Sequence, residues 1–481
     1  MPLLFLLVLI DAMSYRTCSF QNVMLNLHLS TAIAIAWVVA LRFFAKPIVI
    51  LVELCKIAIC ITIGASGGGY IWFIIAGALT AYSIWARDKL MFAAKMIIHS
   101  TVAMKENPAI FFGAICIKLL FAGNAALFVY FFAESFNVAE VTKGLSYYGS
   151  EEFCRFESPS YVSSIDIFLS LAYLWTILLF DKMRLSIIAT VVGSWHFHPD
   201  NKPSVFVGIK NVCTSFGTLS IAALISAIAE YINKLLSQPA WKSWLSPAII
   251  ITAPLSLLMC CFGTCLTMVV KMFTKFSVIL HVFTGQPFAG SAKSVFKILS
   301  RHFKGGFVTE VTSKSVLNLG SYAFSVGIAM ISWKWIDDEF KCGTLAKGTD
   351  PYMLVAYMLM IFCHIYYPVL GLYVIIVINK YIQTWSREAV ESGSSPMNYL
   401  WIPPLAATFV GCISMMMFKF LSNIFLDIID TLFLCFAIDM DNNVDLSDSE
   451  FESLVKEMPG YIEAEVVDDN VVLKKDGEEI A

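Results

Sequence analysis

The sequence is short of charge. Charged residues make up only 14% of the 481 residues, and 58% are hydrophobic. Soluble domains carry roughly 25% charged residues, so this chain has too little polar surface for a water-soluble globule. Several apolar runs have about twenty residues, the length at which a helix crosses ~30 Å of hydrocarbon. The composition therefore predicts an all-α, polytopic membrane protein.

Other absences narrow the class further. The sequence contains no Asn-x-Ser/Thr sequon, so N-glycosylation is not expected. It also has no P-loop, no dinucleotide-binding glycine pattern and no Ser-His-Asp arrangement, which argues against an ATP-driven pump and against an enzyme. Most of the thirteen cysteines lie in apolar runs, where a thiol behaves as a small hydrophobe. We expect no cofactor and no nucleic-acid partner, and we expect contact with membrane lipid.

Hydropathy divides the chain into three parts. Residues 1–27 form an N-terminal segment, interpreted as the remnant of a first helix or as a surface segment, and residues 28–436 form the membrane domain. Residues 437–481 form an acidic tail with 14 acids and 3 basic residues, a net charge of −11. The membrane domain has about ten predicted spans, namely 28–45, 47–65, 69–86, 109–133, 164–195, 204–232, 247–272, 315–336, 352–379 and 400–430.

Lys and Arg predict the orientation, because cytosolic loops carry an excess of them. Segments 87–108 and 271–314 are basic and are expected in the cytosol, as is the stretch around Arg42. Helical periodicity predicts amphipathic interface helices at 87–108 and 273–304. Loop 134–163 has five acids and two basic residues and is expected outside.

Two cysteines are exceptions to the apolar pattern. Cys154 and Cys342 fall in polar loops that are both expected on the outer side. An oxidising compartment permits a disulfide between them, and two unpaired thiols are the alternative.

Five segments, in co-linear order, resemble the choline transporter-like proteins, solute carrier family 44. Residues 87–112 resemble a family segment in which a basic start and an amphipathic helix precede a proline. The segment LAYLWTILLFDKMRLSIIATVVGSWHF resembles the next family helix, with Trp175 in its characteristic place. The other three segments are SFGTLSIAALISAIAEYI, SVILHVFTGQPFAGSAKSVFKIL and DTLFLCFAID.

The resemblance implies transport of choline or a related organic cation. A quaternary ammonium cannot donate hydrogen bonds, so aromatic faces and a counter-charge hold it. Glu53 lies inside an apolar run and is the candidate carboxylate, because intramembrane acids are costly and often functional. The alternative is that Glu53 is neutralised by Lys56, one helical turn away. The candidate aromatic residues are Trp37, Tyr173 and Trp175, for which helix packing is the alternative role.

Three further acids lie in or beside predicted spans. Asp181 is followed by basic residues and then by more apolar residues, and Asp427 and Asp430 share one face of the last helix. We expect these carboxylates to act in gating or ion coupling.

The start of the tail, DMDNNVDLSDSE, resembles a calcium-binding EF-hand loop. Its oxygen-bearing positions are Asp439, Asp441, Asn443, Asp445 and Glu450. Val444 stands where an EF-hand has the glycine of its sharp turn, and no second loop is found. Weak Ca²⁺ binding and a solvated acidic tail are the two interpretations.

The resemblance thus implies a plasma-membrane transporter of choline or a related organic cation, facilitated or ion-coupled, working by alternating access. The alternative is a cation channel or membrane scaffold with a calcium-responsive tail. The oligomeric state is open.

Overall fold

The structure is a computed structural model. The described residues are 18–68, 70–135, 138, 140–145, 152–157, 159–198, 204–236, 249–341, 402–441, 463–467, 470–475 and 478–480.

The first helix is long and bent. Helix α1 (Cys18–Ile63) has 46 residues, with non-helical φ and ψ of −122° and 21° at Phe44 and a proline, Pro47, three residues later. A proline inside a helix removes one backbone donor, and its ring crowds the preceding turn, so the helix bends. The kink divides α1 into two helices, which confirms the boundary predicted between the spans 28–45 and 47–65.

Three helices follow α1 and a π-helical turn, Gly64–Gly68. Helix α2 (Ile71–Trp85) is short and apolar. Helix α3 (Arg87–Glu106) buries one face while Arg87, Asp88 and Lys105 stay exposed, which confirms that the amphipathic segment at 87–108 is helical. Helix α4 (Ala109–Ser135) starts directly after Pro108, where a missing backbone donor costs least.

An antiparallel hairpin separates α4 from α5. Strand β1 (Glu140–Leu145) pairs with β2 (Glu152–Glu157), with Glu140 opposite Glu157 and Leu145 opposite Glu152. Helix α5 (Ser160–Phe197) then runs for 38 residues. The span predicted at 204–232 is divided at Ser215 into α6 (Val205–Thr214) and α7 (Phe216–Leu236).

The next two helices meet at a tight turn. Helix α8 (Ile249–Thr284) ends at Gly285, whose φ of 68° is one that glycine adopts readily, and α9 (Phe288–Lys341) begins after Pro287. The separate interface helix predicted at 273–304 was therefore wrong. The Gly-x-Pro sequence reverses the chain in the middle of that amphipathic stretch.

The last helix is continuous. Helix α10 (Ile402–Asp441) has 40 residues, and Pro403 and Pro404 lie in its first turn, where proline is tolerated. The span predicted at 400–430 is therefore part of one continuous helix. In the tail, β3 (Glu463–Val467), β4 (Asn470–Lys475) and β5 (Glu478–Ile480) form an antiparallel sheet in sequence order.

The described residues fall into two compact units. The first unit lies within 1–34, 118–177 and 321–418, and the second within 35–117, 178–320 and 419–481. In the first, the Ser30 and Ser414 hydroxyls are 2.7 Å apart. The second contains the large buried apolar core, to which α1, α3, α5, α8 and α10 all contribute.

Seven helices in the described part of the chain are long and apolar enough to cross a membrane. They lie at Ala32–Ser66, Ala109–Ser135, Tyr161–Phe197, Phe216–Leu235, Gly263–Thr284, Gly306–Lys334 and Val410–Asp441. An all-α polytopic membrane protein is thus confirmed, with short strands outside the spans. The predicted span 352–379 lies outside the described residues.

Candidate functional site

Glu53 is a buried carboxylate in α1, with only 5% of its surface exposed. Its Oε1 accepts a hydrogen bond from Lys56 Nζ at 2.6 Å, so the ion pair considered from the sequence is present. Its Oε2 is also buried and has no hydrogen-bond partner among the described residues. The pair with Lys56 therefore leaves half of the carboxylate available.

Tyr82 of α2 is an aromatic residue that the sequence reasoning missed. The carboxylate of Glu53 acts electrostatically on Tyr82, whose buried hydroxyl has no hydrogen-bond partner among the described residues. The ring of Tyr82 also contacts that of Trp85, with centroids 6.3 Å apart. The helical spacing of Tyr82 and Trp85 was readable from the sequence, but the electrostatic effect of Glu53 on Tyr82 was not.

Trp37 and Glu53 are not brought together. Both lie on α1, seven and nine residues to either side of Phe44. At 1.5 Å per residue, they are about 24 Å apart on a straight helix and still roughly 17 Å apart after a right-angle bend. One small cation cannot contact both, so their assignment to one site is corrected. Instead, the Trp37 ring packs over Gly320 of α9.

Tyr173 and Trp175 lie on α5 in the first unit, two residues apart and therefore on different faces of the helix. Tyr173 is 7% exposed and packs edge-to-face on Phe128, with ring centroids 5.2 Å apart. Trp175 is 38% exposed. Packing against Phe128 accounts for the burial of Tyr173, whereas part of the Trp175 side chain is accessible.

The three predicted gating carboxylates belong to one ion-pair network in the second unit. Arg184 donates from its guanidinium to Asp181, one turn away at 2.6 Å, and to Asp427 of α10 at 3.0 Å. Lys275 of α8 lies 3.4 Å from the other Asp427 oxygen and donates to Asp430. The network therefore joins α5, α8 and α10.

Two further charged side chains extend the network. Lys182 is 5% exposed and donates to the Thr274 hydroxyl at 3.5 Å, and Glu310 acts electrostatically on Lys275. Four carboxylates are thus grouped with three cationic side chains. The four carboxylates belong to Asp181, Glu310, Asp427 and Asp430, and the three cations to Lys182, Arg184 and Lys275. Lys275 was missed by the sequence reasoning because no local signal pairs it with α10.

The C-terminal end of α5 contacts three helices in the second unit. Trp195 Nε1 donates to Glu106 of α3 at 2.7 Å, and His196 Nε2 lies 2.6 Å from Asp439 of α10. The ring of Phe197 contacts that of Phe283 of α8, with centroids 5.6 Å apart. This junction holds the ends of α5 and α10 side by side.

The calcium-loop prediction is tested only at its start. Asp439 and Asp441 are in the last turn of α10, and Asp439 is 7% exposed and paired with His196. Asn443, Asp445 and Glu450 lie outside the described residues. No cluster of metal-ligating side chains is found in the described part of the chain. Ca²⁺ binding stays a prediction.

The disulfide prediction also stays open. Cys154 is in β2, and Cys342 lies outside the described residues.

Long apolar helices with a partly unpaired buried carboxylate and a buried ion-pair network define a polytopic membrane protein. A family model described as "Plasma-membrane choline transporter" matches residues 70–441. The chain belongs to this family, which confirms the resemblance inferred from the sequence.

Curated relatives agree with the family match. A CTL-like protein of Dictyostelium discoideum is 22% identical over 63% of this chain and 60% of its own length. Choline transporter-like protein 2 of the same organism is 24% identical over 53% of this chain and 41% of its own length. Protein PNS1 of Cryptococcus neoformans is 23% identical over 64% of this chain and 58% of its own length. The chain thus spans between 41% and 60% of these relatives.

Proposed function

We propose that this protein transports choline or a related small organic cation across the plasma membrane by alternating access. The family description and the name of one Dictyostelium relative, choline transporter-like protein 2, support this cargo. The observation that carries the proposal is Glu53, a buried carboxylate in a membrane-spanning helix with one oxygen unpaired.

Glu53 suits a cation that cannot donate hydrogen bonds. Lys56 occupies only one carboxylate oxygen, so an ammonium group can approach the other and gain electrostatic stabilisation without displacing the lysine. Tyr82 lies within the electrostatic field of Glu53 and offers an aromatic face. A buried carboxylate costs free energy in an apolar span when one of its oxygens accepts no hydrogen bond. A bound cation offsets that cost.

The other predicted aromatic residues have separate proposed roles. Trp175 exposes 38% of its surface and is proposed to contact the cargo elsewhere along its path. Trp37, packed over Gly320, and Tyr173, packed on Phe128, are proposed to shape the helices around that path.

The ion-pair network is proposed to form the inner gate. Asp181 is 21 residues from the start of α5, and Asp427 is 25 residues from the start of α10. These spacings correspond to about 32 and 38 Å of helix, slightly more than the ~30 Å hydrocarbon core. If both helices begin at the outer surface, as the acidic loop 134–163 predicts for α5, the network lies at the inner boundary. Separating Arg184 from Asp427 would open it.

The test is uptake of labelled choline into liposomes that contain the purified protein. We expect saturable uptake by the wild type and a loss of at least about tenfold in Glu53→Gln, which keeps the side-chain shape but removes the charge. Glu230→Gln is the matched control, because Glu230 is also ion-paired with a lysine, Lys271, but lies elsewhere. It should retain uptake.

The outcomes separate the classes of function. Current that rises without saturation would indicate a channel, and absence of both flux and current would indicate a scaffold. Saturable uptake that survives Glu53→Gln would keep the transporter but remove Glu53 from the site.

A further inference from the structure

A polar cavity of about 440 Å³ lies in the second unit, between the α6–α7 junction and the end of α8. Its wall includes three hydroxyl groups, one amide and one imidazole, and no carboxylate lines it among the described residues. The polar groups belong to Asn211, Thr214, Ser215, Thr218 and His281. The cavity plays no part in the proposed transport site.

One wall of the cavity is the N-terminus of a 21-residue helix, α7. The Leu219 amide donates to the Ser215 carbonyl. The amides that precede Leu219 in the first turn have no acceptor within the helix. These amides carry partial positive charge and attract anions. Gly217 lines the cavity, and a Cβ built on it would meet nothing within 4 Å. An anion can therefore approach the backbone closely.

His281 supplies an independent indication of a ligand. It is 8% exposed and lines the cavity. Its Nδ1 donates to the Gln286 carbonyl, the only hydrogen bond of this ring among the described residues. Nε2 is therefore left for an occupant of the cavity. The imidazolium form of a histidine donates from both ring nitrogens, so in that form Nε2 can donate to an anion.

The surroundings of the cavity resemble a membrane boundary. The 21 residues of α7 span about 30 Å, so the cavity lies at one end of a membrane-crossing helix. Exposed apolar side chains continue along α7 at Phe216, Ile221, Leu224 and Ile228. Lys210 is exposed and one helical turn from Thr214, on the same face of α6.

We propose that this cavity binds the phosphate group of a membrane phospholipid. The α7 amides, the Ser215 and Thr218 hydroxyls and the protonated His281 ring would hold the phosphate oxygens. Lys210 at the rim would favour an anionic lipid. The acyl chains would lie along the exposed apolar face of α7. This inference is independent of the transported cargo.

The test compares two lipids with the same acyl chains, phosphatidic acid and diacylglycerol, which lacks the phosphate. The full-length protein is purified in mixed micelles with each lipid, washed, and analysed for retained lipid by mass spectrometry. We expect the wild type to retain phosphatidic acid in preference to diacylglycerol.

Two variants address the cavity without disturbing the His281–Gln286 contact. Thr218→Val removes a hydroxyl at nearly constant shape, and Gly217→Leu fills open space. Each should reduce phosphatidic acid retention by about tenfold, the effect of losing one or more hydrogen bonds to a charged group. Gly77→Leu is the matched control, since its Cβ also meets nothing within 4 Å but the residue lies on α2.

Several results would overturn the proposal. Wild-type retention in both cavity variants would show that the lipid binds elsewhere. Equal retention of both lipids would show that the phosphate is not recognised. Heat stabilisation by inorganic phosphate, with no phosphatidic acid retained, would identify a free anion as the ligand.

Discussion

At the scale of single residues, the Trp37 ring leaves no room for a side chain at Gly320. A Cβ on Gly320 would lie 2.8 Å from Trp37 Cε2, closer than real Cβ atoms come to a neighbour. We expect Gly320→Ala to displace the indole and to lower the free energy of unfolding by about 1–3 kcal/mol, the usual cost of overpacking. The unfolding midpoint of the purified protein in detergent measures this effect.

Gly327→Ala is the control for Gly320→Ala. It lies on the same helix, and its Cβ would meet nothing within 4 Å. Because alanine restricts the unfolded chain more than glycine, this change should stabilise the protein by about 0.5–1 kcal/mol. Equal midpoints for the two variants would show that the Trp37–Gly320 packing is not tight.

His99 of α3 is expected to make the stability of the protein depend on pH. Burial, and then the neighbouring charge of Lys95, lower the pKa of His99 from 6.5 to about 4. The unfolded chain therefore binds a proton between these two values while the folded protein does not. The stability that neutral His99 contributes is complete above pH 6.5 and is lost as the pH falls towards 4.

Unfolding midpoints measured from about pH 7 down to about pH 4 test this dependence. The wild type should lose stability more steeply than His99→Gln, whose side chain does not titrate. Parallel curves for the two proteins would mean that His99 titrates normally in the folded state.

At the scale of helices, the ion-pair network joins α5, α8 and α10. Its contribution to stability can be tested by replacing the two carboxylates that bind Arg184. The Asp427 side chain is 4% exposed, whereas that of Asp181 is 47% exposed. Removing one partner of a buried ion pair leaves an uncompensated charge, so Asp427→Asn should destabilise the protein by about 3–5 kcal/mol. Asp181→Asn should cost at most about 1 kcal/mol, as for exposed pairs.

Thermal unfolding of the two aspartate variants in detergent makes the comparison. Equal destabilisation by Asp181→Asn and Asp427→Asn would show that burial of the carboxylate does not determine how much each ion pair stabilises the protein.

The same scale shows what sequence patterns could predict about individual helices. Hydropathy located α4 to within two residues at its C-terminal end, because its apolar run has clear polar limits. It also located the kink of α1, because basic residues flank Phe44 in the sequence. It missed the turn at Gly285 because helical periodicity continues on both sides of it.

At the scale of the whole molecule, the sequence predicted the fold class and family, since composition and ordered segments extend over hundreds of residues. The candidate site was predicted only in part. Glu53 was recognisable as a charge in an apolar run, but its electrostatic interaction with Tyr82 depends on how two helices pack. Arg184 and Asp427 are 243 residues apart, and no local pattern pairs them.

The side of the membrane on which the tail lies is a property of the whole molecule. His196 and Asp439 join the C-terminal ends of α5 and α10, and Trp195 joins the same end of α5 to Glu106 of α3. Since α3 belongs to a basic segment expected in the cytosol, the end of α10 should be cytosolic too. The tail would then follow it into the cytosol.

An epitope tag placed after Ala481 tests this sidedness in cells. We expect antibody labelling only after the plasma membrane is permeabilised. A second tag inserted between β1 and β2, within the acidic loop 134–163, should label intact cells and serves as the control. Labelling of the C-terminal tag on intact cells would place the ends of α5 and α10 outside. It would also reverse the orientation inferred from the basic segments, and the ion-pair network would then close the outer end of the helices.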